Sequence, residues 1–448
     1  MTTIIRKIFL LPALAAVCAG IFSSCGEDRW KEYEEETAVD TWMHRIMQEH
    51  YLWYQELPSY KEVNPFLDPA VFLTKIKSEK DKYSFVNELR DTPAPTYGFK
   101  YSLVKDADSE TNYNALVTYV IPGSPAERAG LQRGNWIMQA DGRHITKKEE
   151  EELLQGTRAM DLTMGSWQEV TPEAEEGTEP VKVWKVAPNG KTVRLGAAET
   201  VEDNPVHAYK ILTVAPAGKV GYLMYNSFTA GTKAEPQKYN DLLRKISREF
   251  REAEVKATIL DLRHNTGGTP DCVQLLGTIL APESRLETSM AYLEYNDKQS
   301  EKNREITLDR EVLKGGVNLN QQLLLVITSG ETAGMAEMLI SGLYRENEVP
   351  AIITIGSATK GQNMATESFA NEELRWAVNP VVCAIYRPDK KTTYGPISPA
   401  SDFVISETSI DGKTDYSRYL PFGNPEERLL KIALETLAGN YPPAKEEK

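Results

Sequence analysis

The chain has 448 residues, of which 41% are hydrophobic and 26% charged, a composition typical of folded proteins. Its 65 acidic and 51 basic side chains give a net charge of −14 at pH 7, which argues against nucleic acid as a partner. A chain of this length exceeds one ordinary core and should divide into two or three domains.

The first 24 residues are predicted to be a signal peptide. Arg6 and Lys7 precede an apolar run, 8–22, that is too short to span a bilayer comfortably. Cys25 follows two serines, so the boundary resembles the lipobox of a bacterial lipoprotein, which implies cleavage before Cys25 and acylation of its thiol. We therefore expect an exported protein, lipid-anchored to the membrane in the bacterial cell envelope on its periplasmic or surface side. The alternative is plain secretion, with Cys25 an ordinary residue.

Two further cysteines, Cys272 and Cys383, lie far apart in sequence among apolar neighbours. This setting predicts two buried free thiols, although a disulfide between them stays open. The 5 histidines are not clustered with cysteines at metal-binding spacings, so neither a metal site nor another cofactor is predicted.

Residues 25–94 are predicted to hold a lipidated linker and a small helical module. Apolar residues recur at helical spacing from Val39 to Tyr54, which predicts a first helix. Asp68 followed by Pro69 is the pattern of an N-cap with proline at the first helical position, and predicts a second helix.

Residues 95–205 begin with two β-rich runs, at 97–104 and 114–121. Ser124 and Glu127 then have the spacing of a capping box, and Gly130 marks the end of that short helix.

A further helix is predicted from Lys147 to Leu154, with Thr146 as its cap. An acidic loop at 165–180 follows it, and two β-rich runs then flank Asn189-Gly190, which predicts a hairpin turn there.

Residues 206–448 alternate between apolar strands and helices, which predicts a mostly parallel sheet covered on both faces. The strands are expected at 258–262, 323–328 and 351–356, and the helices at 236–254, 273–280 and 336–343.

The stretch SPAERAGLQRGNWIMQADG, preceded by YGF at 97–99, closely resembles a PDZ domain. The resemblance implies that Gly98 and Phe99 present backbone N–H groups to the carboxylate of a peptide, which adds a strand to the sheet edge. Asn135 stands where such domains usually carry aspartate. The alternative is a β-rich packing module that binds no peptide.

The stretch DLRHNTGG at 261–268 follows a predicted buried strand and precedes a helix. Gly267 and Gly268 allow the backbone to approach a ligand, with N–H groups directed at developing negative charge.

These motifs, followed by TAGMAEMLISGL and GSATKGQN, resemble in their order the tail-specific or carboxyl-terminal-processing protease family. DKYSF at 81–85, KVGYLMYNSF at 219–228 and NPEERLLKIALETL at 424–437 extend the resemblance over nearly all of the mature chain. It implies an α+β multidomain protein with a helical module, a PDZ domain and a protease-like core, crotonase-like in the family. Such proteins are serine endopeptidases of the cell envelope that use a Ser–Lys dyad and usually recognise protein C-termini through PDZ.

The family serine lies three residues before a glutamate, in a stretch resembling T-A-S-A-S-E, and its place in this chain is Gly334. Met335, the next residue, would supply a backbone N–H to the oxyanion site. The register is fixed by Thr332, Ala333, Glu337, Gly342 and Leu343.

The family lysine lies in a stretch resembling G-E-x-T-Y-G-K-N, and its place in this chain is Gln362. The register is fixed by Gly356, Thr359, Gly361 and Asn363. Glutamine carries no titratable amine and cannot act as a general base.

Substitutes for the dyad exist in the sequence. Lys360 would share a face with residue 362 in an extended segment and could reach its place. Thr332, Ser329 and Ser341 carry hydroxyl groups, although Thr332 is expected to cap the following helix.

The sequence therefore predicts a cell-envelope lipoprotein that binds unfolded polypeptides or protein C-termini through its PDZ domain and core cleft, without proteolysis. The first alternative is an active serine-type endopeptidase in which a displaced nucleophile works with Lys360. The second is a scaffold protein that docks another envelope protein through the helical module and the acidic loop.

Overall fold

The computed structural model describes residues 33–90, 92–171, 181–344 and 349–442. Its α-helices are α1 (Glu34–His50), α2 (Pro69–Ile76), α3 (Pro125–Arg128), α4 (Glu150–Leu154), α5 (Lys238–Glu252), α6 (Pro270–Leu280), α7 (Met335–Leu343) and α8 (Arg428–Leu437). The strands of its first half are β1 (Phe85–Glu88), β2 (Phe99–Lys105), β3 (Asn112–Val120), β4 (Trp136–Ala140), β5 (Arg143–Thr146), β6 (Met160–Val170), β7 (Val183–Leu195), β8 (Val206–Val214) and β9 (Gly218–Tyr225). The remaining strands are β10 (Ala257–Asp261), β11 (Ser289–Tyr295), β12 (Arg304–Thr307), β13 (Leu323–Thr328), β14 (Ala351–Gly356), β15 (Met364–Thr366), β16 (Phe369–Asn371), β17 (Trp376–Asn379), β18 (Val381–Tyr386), β19 (Ser409–Ile410) and β20 (Lys413–Thr414).

The chain divides into two compact units, and the first combines the segment up to Leu89 with residues 366–381. Helices α1 and α2 and strand β17 contribute buried residues to it, and β1, β17 and β16 form its three-stranded antiparallel sheet. Asp68 accepts a hydrogen bond from the Ala70 N–H at 2.9 Å, so the predicted N-cap is confirmed. The first helix ends at His50 rather than at Tyr54, because Tyr51 has an extended backbone.

The second unit contains a six-stranded sheet in the order β2-β3-β5-β4-β6-β7, built from the predicted PDZ segment. Strand β2 lies at its edge. Helix α4 begins three residues later than predicted. Thr146 therefore does not cap this helix, and its hydroxyl donates to the Glu149 carboxylate instead.

The predicted hairpin at Asn189-Gly190 is wrong. Both β-rich runs belong to the single strand β7, which pairs with β6 on both sides of the Asn-Gly pair. Asn189 donates from its side-chain amide to the Gly165 carbonyl at 2.9 Å, and Gly190 has a φ of 74°. The Asn-Gly pair therefore forms an irregularity within a long strand, since the partner strand supplies the hydrogen bonds that a local turn would otherwise make.

The second unit also contains a five-stranded sheet in the order β14-β13-β10-β9-β8, in which β8 alone is antiparallel to its neighbour. All five residues of β10 and five of the six in β13 are buried, as expected of parallel strands covered on both faces. The predicted mixed α/β architecture with a mostly parallel sheet is confirmed. Cys272 and Cys383 are both buried and form no disulfide, as predicted.

Adjacent parallel strands bring three loops to one edge of this sheet. β10, β13 and β14 are neighbours and end in the segments that begin at Leu262, Ser329 and Ser357. Because the carboxyl ends of parallel strands meet at the same edge, the glycine turn, the Gly334 turn and the Gln362 segment converge there.

Candidate active site

The turn before α7 has the backbone form of a nucleophile elbow. Gly334 immediately precedes the helix with φ 55° and ψ −110°. A residue with a side chain adopts this conformation only under strain of roughly 1–3 kcal/mol, and sharp strand-to-helix turns of this kind present the nucleophile in other hydrolases. Glycine carries no such strain, and it also carries no nucleophile.

Gly334 and Gln362 lie next to each other. A Cβ atom built on Gly334 would be 3.6 Å from both Cδ and Nε2 of Gln362. The Gln362 amide donates to the Met364 carbonyl at 3.2 Å. The two places that the sequence assigned to the dyad are therefore adjacent in space, and neither holds a group that can attack a carbonyl or remove a proton.

A buried carboxylate holds the two segments together. Glu337 is fully buried, and its Oε2 accepts hydrogen bonds from the N–H groups of Gly334 at 2.9 Å and Gln362 at 2.7 Å. Its Oε1 accepts from the Thr359 hydroxyl at 2.5 Å and the Gly361 N–H at 2.6 Å. Sequence reasoning used Glu337 only as a register marker, although glutamate at the third position of a helix is itself a signal for such back-bonding.

Tyr394 joins the same two segments from outside. Its hydroxyl lies 3.2 Å from the Gly334 carbonyl oxygen and 3.1 Å from the Gln362 carbonyl oxygen. Sequence reasoning missed this residue, because it lies in a loop with no motif around it.

The residues that could substitute for the dyad members lack the surroundings that catalysis requires. Lys360 is exposed, whereas a neutral lysine base requires burial. Thr332 is fully buried and donates to the Leu262 carbonyl at 2.9 Å, so the expectation that it caps α7 is wrong. Ser329 donates to the Arg263 carbonyl, and Ser341 lies in the second turn of α7.

The glycine turn after β10 lies close to the first residue of α7. A Cβ atom built on Gly267 would be 3.7 Å from the Met335 nitrogen. The Gly267 N–H already donates to the Asn265 side chain at 3.0 Å, which leaves Gly268 and Met335 as the candidate oxyanion donors. Met335 is the first residue of its helix, where an N–H has no intrahelical acceptor.

A buried charge cluster supports this turn. The Arg263 side chain is 1% exposed and donates to Asp261 at 2.8 Å, to Glu427 at 2.9 Å and to Glu407. Burial alone would raise the pKa of Glu427, but the Arg263 charge and hydrogen bond outweigh it and lower that pKa.

The predicted PDZ segment contributes a second arginine to the cluster. Arg133 pairs with Glu407, and its guanidinium carbon lies 3.6 Å from the Tyr419 ring centroid. Sequence reasoning missed both arginines, since Glu407, with which both of them pair, lies 144 residues from Arg263 and 274 from Arg133.

The predicted peptide groove is a cleft of about 510 Å³ between edge strand β2 and helix α4. Gly98 has a φ of 80°, and a Cβ atom built on it would come within 2.1 Å of the Ser124 Cβ. Glycine is therefore required here. Phe99 begins β2, and it lines the cleft together with Tyr97, Tyr101, Leu154 and Gln155.

Cys25 and the signal peptide lie outside the described residues. Within the described ranges, no helix combines the length and the apolar composition needed to cross a membrane. Nor do those ranges hold a group of three or more His, Cys, Asp or Glu side chains placed to bind a metal ion.

Comparison with known families gives matches along most of the chain. Residues 219–400 match a sequence model described as "Peptidase family S41", residues 38–85 match "Peptidase S41 N-terminal domain" and residues 116–164 match "PDZ domain".

The chain is also similar to individual proteins. It is 41% identical to a protein of Bacteroides fragilis NCTC 9343, provisionally described as an S41 protease, whose crystal structure superposes with a TM-score of 0.80 over 89% of this chain and 97% of that one. It is 26% identical over 213 residues to a "Probable CtpA-like serine protease" of Staphylococcus aureus, covering 47% of this chain and 37% of that protein. It is 31% identical over 151 residues to a "Carboxyl-terminal-processing protease" of Picosynechococcus, covering 33% of this chain and 30% of that protein. The chain thus spans about a third of the length of these two relatives.

Proposed function

This chain belongs to peptidase family S41, and we propose that it is a member that binds polypeptide C-termini without hydrolysing them. One observation carries the proposal: Gly334 and Gln362, which the family motifs assign to the places of the nucleophile and the base, lie next to each other. The 3.6 Å between a Cβ atom built on Gly334 and the Gln362 amide supports that register.

Hydrolysis of a peptide bond by a Ser–Lys dyad needs two groups that this site lacks. A hydroxyl must attack the carbonyl carbon, and an amine must accept the hydroxyl proton. Gly334 has no side chain, and the Gln362 amide does not accept a proton at neutral pH. The Thr332 hydroxyl is buried and donates to the Leu262 carbonyl, and Lys360 is exposed, so neither has the surroundings that a nucleophile or a neutral lysine base requires.

The groups that would bind a peptide are still present. The groove lies beside an edge strand, so an extended peptide can pair with β2 and place its terminal carboxylate at the Gly98-Phe99 loop. The N–H groups of Gly268 and Met335 could accept a carbonyl or carboxylate oxygen in the core. Binding and catalysis depend on different residues, and only the catalytic residues are replaced.

We further propose that the protein is exported and anchored to the membrane through lipid on Cys25. The basis is the sequence alone: an apolar run after Arg6 and Lys7 that ends at a cysteine. Metabolic labelling with an alkyne fatty acid should mark the natural chain and not a Cys25→Ala variant. Equal labelling of both would refute the anchor.

The binding proposal is tested with two fluorescent peptides of one sequence, ending in a free carboxylate and in an amide. Anisotropy titration of the purified mature chain should show at least tenfold tighter binding of the free carboxylate, because the loop N–H groups lose a charge-assisted partner in the amide. Equal affinities, or no binding of either peptide, would contradict the proposal.

A matched pair of glycine variants locates the groove. Gly98→Ala introduces a Cβ atom 2.1 Å from Ser124 and should abolish binding. Gly142→Ala, in another turn of the same sheet, also has a positive φ, 74°, but no atom within 4 Å of the new Cβ. It should retain the affinity of the natural chain.

A further inference from the structure

A separate cavity of about 400 Å³ lies beside the second half of α7, next to β14 and the segment 394–403. Its lining is mainly apolar, with Ile340, Ile352, Ile353, Ile397 and Phe403 among the contributors. This volume is within the range of small-molecule sites, whose walls are mostly apolar with a few polar groups.

Two polar atoms in this lining lack partners. Ser341 is 5% exposed, and its buried hydroxyl oxygen has no hydrogen-bond partner within the described ranges. The same holds for the buried Nε of Arg387. Buried polar atoms in proteins nearly always have a partner, so two orphans in one cavity indicate a ligand that supplies acceptors.

Arg387 also has no ion pair within the described ranges. Among the residues that the structure describes, no carboxylate lies within 4 Å of its guanidinium. The acidic residue two positions on, Asp389, accepts hydrogen bonds from Thr392 and from the Lys391 N–H instead. A guanidinium beside an apolar cavity is suited to an anionic head group on an apolar ligand.

We propose that this cavity binds a small carboxylate with an apolar tail, held by Arg387 and Ser341 at its head and by the isoleucine side chains along its tail. A free fatty acid and the C-terminal residue of a peptide share this chemistry. The site is distinct from the PDZ groove and rests on none of the residues assigned to peptide binding there.

The cavity shares a wall with the candidate active site. Tyr394 lines the cavity, and its hydroxyl bonds to the carbonyl oxygens of Gly334 and Gln362. The Ile397 N–H donates to the Thr359 hydroxyl at 2.8 Å, and Thr359 bonds in turn to Glu337. A ligand in the cavity therefore contacts the segment that supports both dyad places.

The first test uses the natural mature chain. Decanoate, decanol and N-acetylleucine are titrated separately by isothermal calorimetry. We expect saturable binding of decanoate with one site, and about tenfold or more weaker binding of decanol, which has the tail without the charge. Tighter binding of N-acetylleucine than of decanoate would identify a peptide terminus as the natural occupant. Failure of both carboxylates to bind, or equal affinity for decanol and decanoate, would overturn the proposal.

The second test places the ligand. Arg387→Gln should weaken carboxylate binding about tenfold or more, while Arg310→Gln, which removes an exposed arginine elsewhere in the same unit, should leave it unchanged. Ser341→Leu keeps Arg387 but fills the cavity, and should also lose the ligand. If Arg387→Gln does not fold, Ser341→Leu and the comparison of decanoate with decanol still test the proposed site. Unchanged binding in a folded Arg387→Gln or Ser341→Leu variant would refute the site.

Discussion

Two glycines, Gly98 in the peptide groove and Gly334 in the candidate active site, lack a side chain for different reasons. At Gly98 there is no space: a Cβ atom would come within 2.1 Å of the Ser124 Cβ. At Gly334 there is space, since the nearest atoms to a new Cβ are those of Gln362 at 3.6 Å, and only the backbone angle opposes a side chain. Packing requires the glycine of the groove, whereas packing does not require the glycine at the nucleophile place.

This contrast supports the proposal that peptide binding and catalysis rest on different residues in this chain. In that proposal, binding depends on the backbone around Gly98, where packing requires glycine. Catalysis would depend on side chains at positions 334 and 362, where packing leaves room for a Cβ atom. The following predictions test whether the two regions are as independent, and as different in packing, as this comparison holds.

The largest expected effect removes the centre of the buried charge cluster that supports the glycine turn of the candidate active site. Arg263→Met leaves the buried carboxylates of Asp261 and Glu427 without their main partner. We expect a loss of about 3–5 kcal/mol in the free energy of unfolding. Urea denaturation measures it, with Arg310→Met as an exposed control that should change stability by less than about 1 kcal/mol. A loss of less than about 1 kcal/mol for Arg263→Met would show that the cluster does not hold the core together.

The next effect concerns packing in the groove. Gly98→Ala should lower stability by about 2–4 kcal/mol, because overpacking adds to the strain of a positive φ. Gly142→Ala carries the strain alone and should cost about 1–2 kcal/mol. Equal losses in the two variants would show that the contact with Ser124 relaxes and that Gly98 is not required by packing.

A smaller effect is expected at the nucleophile place. Gly334→Ala adds a methyl group in ordinary van der Waals contact with Gln362 at φ 55°, and should cost about 1–2 kcal/mol from backbone strain alone. Gly330→Ala, in the same turn but without a positive φ, should leave stability within about 0.5 kcal/mol. A loss at Gly334 as large as that at Gly98 would erase the contrast between the two glycines.

The last effect depends on pH and lies in the helical module, outside both regions. Asp40 is 3% exposed with no partner for either oxygen within the described ranges, and burial together with the nearby Asp68 raises its pKa to about 7. The folded state therefore holds its proton more tightly than the unfolded state, so stability falls as pH rises from about 4 to 7. Asp40→Asn removes this loss and should stabilise the chain by roughly 1–2 kcal/mol at pH 8, with little gain at pH 4. Thermal unfolding across this pH range measures it, and a gain that does not depend on pH would contradict the assignment.

The parallel strands of the five-stranded sheet could be predicted from the sequence because they are buried on both faces. β13 and β14 have the predicted bounds, since a fully buried parallel strand is a continuous apolar run. Predictions of a turn and of a helix cap from local sequence were wrong where a residue distant in sequence supplies the hydrogen bonds. The Asn189-Gly190 pair lies inside a strand because β6 pairs with both sides of it, and Thr332 bonds to Leu262 rather than to its own helix.

In the candidate site, only the residues that lie within a sequence motif could be predicted. The places of Gly334 and Gln362 followed from flanking residues whose spacing is local. Tyr394 and Arg133 act across long sequence separations, and neither has a neighbouring pattern that predicts its partner. The sequence also did not indicate that residues 366–381 belong with the helical module. Strand pairing over about 290 residues leaves no local signal.

The most direct test of the central claim is a side-by-side digestion of an unfolded protein substrate by four purified mature chains. These are the natural chain, Gly334→Ser, Gln362→Lys and the Gly334→Ser/Gln362→Lys double variant, with Lys360→Ala as a further control. The account predicts that the double variant alone cuts, because either single change supplies one member of a dyad that needs two. Cleavage by the natural chain that disappears in Lys360→Ala would contradict it, and would place a working dyad elsewhere in the site.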